Sequence, residues 1–335
     1  MQLEHLSSSG GNMSRGLLFS DGFKPQFSGH ETFPLRYGWL KKAYDAVSKA
    51  ELSNNAPKGV FSSDDAIADF GVGKNMVTSI RHWAVACDII EEVKDKTGSY
   101  HTTELGKLIF DDSDGVDPFM ESLASLWLIH WQLAGTPNKT TTWYWVFNHY
   151  PNRNFDRDHL AKGLLTLCQH LNLQKIAPVT IKRDVECFIR TYVGKGGTES
   201  FVHEDNLECP LTELSLIKPI GRRDGFQTAR GPKSTLPDSV FIYALLAFWE
   251  NFTHAKTLSF EAILYEPGSP GRIFLLDEND LNERLMRVSD VTSGAIQWSE
   301  TAGLRQLLMR KPITQNEALS LVQSSYPLSL KRRDI

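Results

Sequence analysis

The chain has 335 residues, a formal charge of -4 and 41% hydrophobic residues, enough for two or three domains around a sizeable core. That mildly acidic balance excludes a generic polyanion binder, so any nucleic-acid surface must be a local patch. Apolar runs such as residues 241–249 fall far short of the roughly 20 residues of a membrane span, which excludes a membrane-spanning helix.

Residues 1–26 are Ser/Gly-rich, lack the basic start and apolar core of a signal peptide, and read as a flexible tail. Cys87, Cys168, Cys187 and Cys209 show no CxxC spacing. They read as buried thiols of a cytoplasmic protein rather than a zinc site or disulfide framework.

Residues 27–112 predict a winged helix-turn-helix. Residues 35–47 form its first helix, with Leu35, Trp39, Ala43 and Val47 inward. In FGVGKN, the GVGKN core suggests a phosphate loop. That motif requires a glycine where Ala68 stands and a Ser or Thr where Asn75 stands, so the nucleotide reading is rejected. A short helix capped by Ser62 or Ser63 fits better, with Ala66, Ile67 and Phe70 apolar and Gly71 and Gly73 at the turn.

A second helix follows over residues 74–87, with Val77, Ile80, Ala84 and Cys87 as its buried stripe. Lys74, Asn75, Thr78, Arg81 and His82 fall on other faces and are residue types that bond phosphates and base edges. Strands around residues 89–93 and 100–102, a turn at residues 95–98 and a closing helix at 105–110 complete the module.

A helical central domain is expected over residues 113–220. Its helices are read at residues 117–133, 142–149, 158–171 and 182–192, with the Trp-rich second stretch as core. His203, Glu204, Asp205 and Glu208 crowd one turn. With Asp184 or Glu186 they offer the carboxylates that Mg²⁺ or Mn²⁺ takes. Such an ion activates water for phosphodiester hydrolysis. Glu204, Asp205 and Asp184 are the metal candidates. Glu186, with His30 and Glu31 in GHETF, extends the catalytic candidates.

Residues 221–235 read as a basic linker loop, in which Arg222, Arg223, Arg230 and Lys233 could neutralise phosphates. Residues 236–335 predict a second winged-helix-like module. It has a strand at 272–276 with Arg272 at its tip, a strand at 296–299 and a helix at 300–309. The fold class is thus mainly α with small β wings.

FSGHETFPLRYGWLKKAYDA, FGVGKNMVTSIRHWAVACDIIEE and DPFMESLASLWLIHWQLAG, with EDNLECPLTEL, GSPGRIFLLDE and ETAGL, resemble the SspB family over nearly the whole chain from Phe27. The resemblance implies a bacterial protein acting beside a cysteine desulfurase and a PAPS-reductase-like sulfurtransferase. These partners place sulfur in the DNA backbone as phosphorothioate for anti-phage defence. It implies further that this chain binds double-stranded DNA and nicks one strand as a metal-dependent endonuclease. The sequence carries no PD…ExK signature, which favours a non-catalytic DNA-binding adaptor. A sulfur carrier would require an exposed thiol of low pKa, and Cys209 beside Pro210 is the candidate.

Overall fold

In the computed structural model, residues 16–20, 22–53, 59–62, 66–93, 98–173, 176–194, 209–221, 224–301 and 303–327 are described. Several expectations fall outside these residues: the caps and acids at 63–65, the turn at 95–97, His203, Glu204, Asp205, Glu208, Arg222 and Arg223. The fold is mainly helical with small antiparallel sheets, as the periodicity predicts.

The chain packs earlier than the tail reading allows. Leu18 is fully buried, and Gln26 N donates to Thr141 Oγ1 at 2.9 Å. Helix α1 (Trp39–Leu52) starts after Gly38, whose φ of 77° ends the incoming turn. Leu35 therefore lies ahead of the helix, although it is buried with Trp39, Ala43 and Val47. Helices α2 (Ala66–Phe70) and α3 (Lys74–Ala86) follow, then strands β1 (Ile90–Glu92) and β2 (Tyr100–Thr102) and helix α4 (Glu104–Phe110). β1 and β2 pair antiparallel, with Glu91 opposite His101. Thr103 caps α4, its side chain accepting from Gly106 N, while its own hydroxyl donates to the Asp88 carbonyl. The hairpin and the end of α3 are thereby joined.

Helix α5 (Leu123–Gly135) is apolar on nearly every face and runs through the core. It starts later than the sequence suggests. Asp117 lies in the preceding turn, where its carboxylate accepts from Glu121 N, Ser122 N and the Ser125 hydroxyl. Helix α6 (Thr141–Asn148) is buried along its whole length, so its tryptophans are core. After strand β3 (Asn154–Phe155), α7 (Arg157–His170) and α8 (Pro178–Tyr192) pack on each other.

Strands β4 (Ile217–Ile220) and β5 (Gly225–Thr228) form a hairpin, and β3 adds to its far edge in the order β3-β5-β4. Four of the fifteen residues of the expected basic linker, Gly225–Thr228, are therefore strand, held through Phe155 opposite Phe226.

Helix α9 (Asp238–Phe252) is a second core helix. Strand β6 (Thr257–Ser259) and helices α10 (Phe260–Tyr265), α11 (Pro270–Ile273) and α12 (Glu278–Val291) follow, then strands β7 (Ile296–Thr301) and β8 (Leu304–Met309) and helix α13 (Gln315–Ser324). Two expectations fail here for local reasons. Residues 270–273 are helix, not strand, because Ser269 accepts from Arg272 N and Pro270 occupies the first turn. Residues 304–309 are strand, not helix. Gly303, at φ 81°, turns the chain so that Leu304 pairs with Thr301. The sheet order is β6-β8-β7.

Candidate nucleic-acid interface

Helix α3 supplies the polar face. Val77, Ile80, Ala84 and Cys87 are buried as the stripe requires. Lys74 and Asn75 at its N-terminal end are exposed, and Thr78 and Arg81 are half-buried. These four span the first two turns of α3, and Arg81 shares a pocket with Glu92 and Tyr100 of the β1–β2 hairpin.

His82 departs from expectation. It is only 7% exposed, because the segment 26–33 covers the flank of α3 that periodicity leaves open. Its ring is pressed against Gly29, where a Cβ would stand 2.6 Å from Nδ1. Burial, with the neighbouring His30, Lys139 and Arg81, pushes its pKa down to about 3. His82 is therefore a neutral ring packed within the protein, not a surface contact.

The GHETF motif builds a buried centre instead of a metal site. Glu31 and Thr32 both take positive φ, 47° and 67°, which folds the chain back over the His30 ring. Thr32 N then donates to His30 Nδ1 at 3.1 Å. That donation fixes the tautomer, so Nε2–H donates to Asp184 Oδ1 at 2.6 Å. The Thr142 hydroxyl donates to the other oxygen, Oδ2. His30 and Asp184 are 3% and 2% exposed.

His30 also stacks on Trp83 of α3 at 6.1 Å, and the Trp83 indole N–H donates to the Phe33 carbonyl. The dyad thus joins α3, the loop before α1, α6 and α8. Both oxygens of Asp184 are taken, which corrects its assignment as a metal ligand, and His30 likewise orients this packing. Glu31 is exposed on the same loop.

Glu186 lies two residues from Asp184 on α8 and so faces away from it. It pairs with Arg157 Nε at 2.5 Å, and the same guanidinium bonds Asp224 and lies over the Phe226 ring at 5.0 Å. Asp184 and Glu186 cannot share one cation. Among the described residues no group of three or more His, Cys, Asp or Glu side chains could hold a metal ion. Of the metal candidates, Glu204 and Asp205 lie outside them.

The basic residues further along are also occupied. Lys233 is 8% exposed, and its ammonium donates to the carbonyls of Ala229, Gly231 and Leu275 at 2.9, 2.8 and 3.2 Å. Arg230 donates to the Leu276 carbonyl at 2.6 Å and Arg272 to that of Tyr265 at 2.9 Å. These cations satisfy chain carbonyls around α11. This corrects Lys233 as a phosphate contact, while Arg230 stays exposed and Arg272 half-buried, each with one guanidinium nitrogen on a chain carbonyl.

The four thiols are buried. Burial raises the Cys209 pKa to about 12 and those of Cys87 and Cys187 well above the ordinary thiol value. Cys209 does not meet the carrier requirement. Sequence reasoning missed Lys139, in the α5–α6 loop, and Tyr100, which approach Arg81 around one pocket. The lysine of GTPNKTT is its one visible signal. A separate cavity of about 580 Å³, lined by Asp88, Trp131, Tyr243 and Phe248 among others, contains none of the nominated residues.

A mainly helical chain that sets a polar helix face beside a short hairpin is the class these features define. Residues 27–326 match the family model described as "Protein of unknown function (DUF4007)", and the chain belongs to that family, the SspB type of domain. Two solved structures are similar over 92% of this chain and 90% of theirs, each with a TM-score of 0.75. One is an SspB crystal structure at 30% identity, and the other is a magnesium ion-bound SspB crystal structure at 29%. A comparison with curated proteins gives no match. Among the described residues no helix is long and apolar enough to cross a membrane.

Proposed function

We propose that this chain belongs to the Ssp phosphorothioation system, where it binds double-stranded DNA and nicks one strand so that sulfur can enter the backbone. The observation that carries this reading is the similarity to SspB structures over nine-tenths of both chains. On this reading the order α1, α2, α3, β1, β2 is a winged helix-turn-helix. Helix α3 lies in the major groove with Lys74, Asn75, Thr78 and Arg81 toward the duplex. The cysteine desulfurase and the PAPS-reductase-like sulfurtransferase are the proposed partners.

A divalent cation, Mg²⁺ or Mn²⁺, is the proposed cofactor, supported by the magnesium-bound relative. Glu204 and Asp205 are the proposed carboxylates. The second reading, a DNA-binding adaptor without catalysis, rests on a sequence that carries no PD…ExK signature.

Supercoiled plasmid incubated with the protein and Mg²⁺, Mn²⁺ or EDTA separates the two. Metal-dependent open circles, lost in a folded Glu204→Ala, Asp205→Ala double variant that still shifts DNA, are the expected result. A clear gel shift without open circles, with the sulfur-transfer partners present, would favour the adaptor.

A further inference from the structure

Beside α3 lies a pocket of about 140 Å³, bounded by the segment before α1, the β1–β2 hairpin and the α5–α6 loop. It is well below the roughly 300–1,000 Å³ of pockets that take organic ligands, so it suits a single small group. Arg81 and Lys139 line it with Gln26, His82 and Tyr100, and Glu92 contributes the one carboxylate among the lining residues. Two cations against one anion leave an excess of positive charge.

His82 adds a second, independent feature. The Gln26 side-chain nitrogen donates to the Ser28 carbonyl at 2.9 Å and stands 3.5 Å from His82 Nδ1. An amide carries two hydrogens, so the second is turned to Nδ1, and the proton of the neutral ring sits on Nε2. That Nε2 is buried and has no partner. Buried polar groups are almost always hydrogen-bonded, so an unpaired one calls for a physical explanation. A guanidinium and an ammonium around a space for one small group are the donors an oxyanion takes, with the His82 ring packed as one wall.

We propose that this pocket binds one tetrahedral oxyanion of the phosphate type, held between Arg81 and Lys139. A backbone phosphate of a duplex on α3 and free inorganic phosphate share this chemistry. The first source rests on the DNA-binding reading, and the second is independent of it. Were a backbone phosphate the occupant, the pocket would anchor the register of α3 in the groove rather than read bases.

The full-length protein is titrated calorimetrically with inorganic phosphate at constant ionic strength, beside Arg81→Gln and Lys139→Gln. Neither side chain is fully buried, and thermal unfolding checks each variant's fold. Saturable binding, weakened about tenfold or more in both folded variants, is expected. Failure to bind phosphate saturably, or equal affinity in both variants, would overturn the proposal, whatever the fate of the DNA reading. If one variant does not fold, the other decides. The same variants are then bound to duplex DNA across a salt series. A salt slope lowered by about 1 in Lys139→Gln assigns the site to a backbone phosphate. An unchanged slope with impaired phosphate binding assigns it to the free ion.

Discussion

Lowering the pH from 7 to 5 should destabilise this fold through three histidines held neutral inside it. Burial pushes His82 down to about 3, aided by His30, Lys139 and Arg81. Burial pushes His130 down to about 4, although its Nε2–H donates to the Ile273 carbonyl, which acts the other way. Burial, with Arg272 nearby, pushes His149 down to about 4. In the unfolded chain each would titrate near 6.5.

The folded pKa is depressed in each case, so the unfolded state binds more protons as the pH falls below 6.5, and stability is lost. At pH 5 each contributes about 2 kcal/mol of destabilisation, together about 6 kcal/mol. Asp88 opposes them. Burial, with Glu91 nearby, raises its pKa to about 6, so folded protein gains a proton there first, worth about 1.5 kcal/mol at pH 5. The net loss is about 4–5 kcal/mol, a large part of the 5–15 kcal/mol typical of folded domains.

Urea unfolding followed by circular dichroism at pH 7 and pH 5 measures it. In His130→Gln the difference between the two pH values should shrink by about 2 kcal/mol. Equal stability of the native protein at both pH values, within about 1 kcal/mol, would refute the reasoning.

Three further outcomes are expected. Asp184→Ala leaves His30 Nε2–H and the Thr142 hydroxyl buried without an acceptor, so unfolding free energy should fall by about 3 kcal/mol. If nicking is observed, its metal requirement should be the same in that variant, because Asp184 anchors His30 and not a cation. Lys74→Ala with Arg81→Ala should weaken duplex binding about tenfold at moderate salt, and unchanged affinity would remove α3 from the interface. Cys209 should resist a thiol reagent in the native protein and react once urea unfolds it. Fast native labelling at Cys209 would contradict its burial.

The parts of this structure legible in the sequence are those set by local period. The stripe of Val77, Ile80, Ala84 and Cys87 is buried as read, and Trp143 and Trp145 are core. His82 was misplaced because periodicity counts one buried face, whereas the loop carrying Gly29 and His30 covers a second. No spacing rule brings a residue at position 30 onto one at position 184. Lys233 looks like a surface cation in sequence, since one of the carbonyls that bury it, that of Leu275, lies more than forty positions away. Asp184 and Glu186 stand close in sequence but face apart on a helix, a fact the 3.6-residue period already contains. The Ser-Pro start of α11 and the Gly303 hairpin were also readable, but they compete with strand-like and helix-like runs beside them.

The link from Trp83 through His30 to Asp184 fixes the orientation of α3 against α8 by stacking and by a hydrogen bond. In the proposed function it becomes a ruler. A duplex seated on α3 would meet the central helices at one set distance, without a hinge to blur it. On that reading, changing the distance would require rebuilding this joint rather than altering a loop.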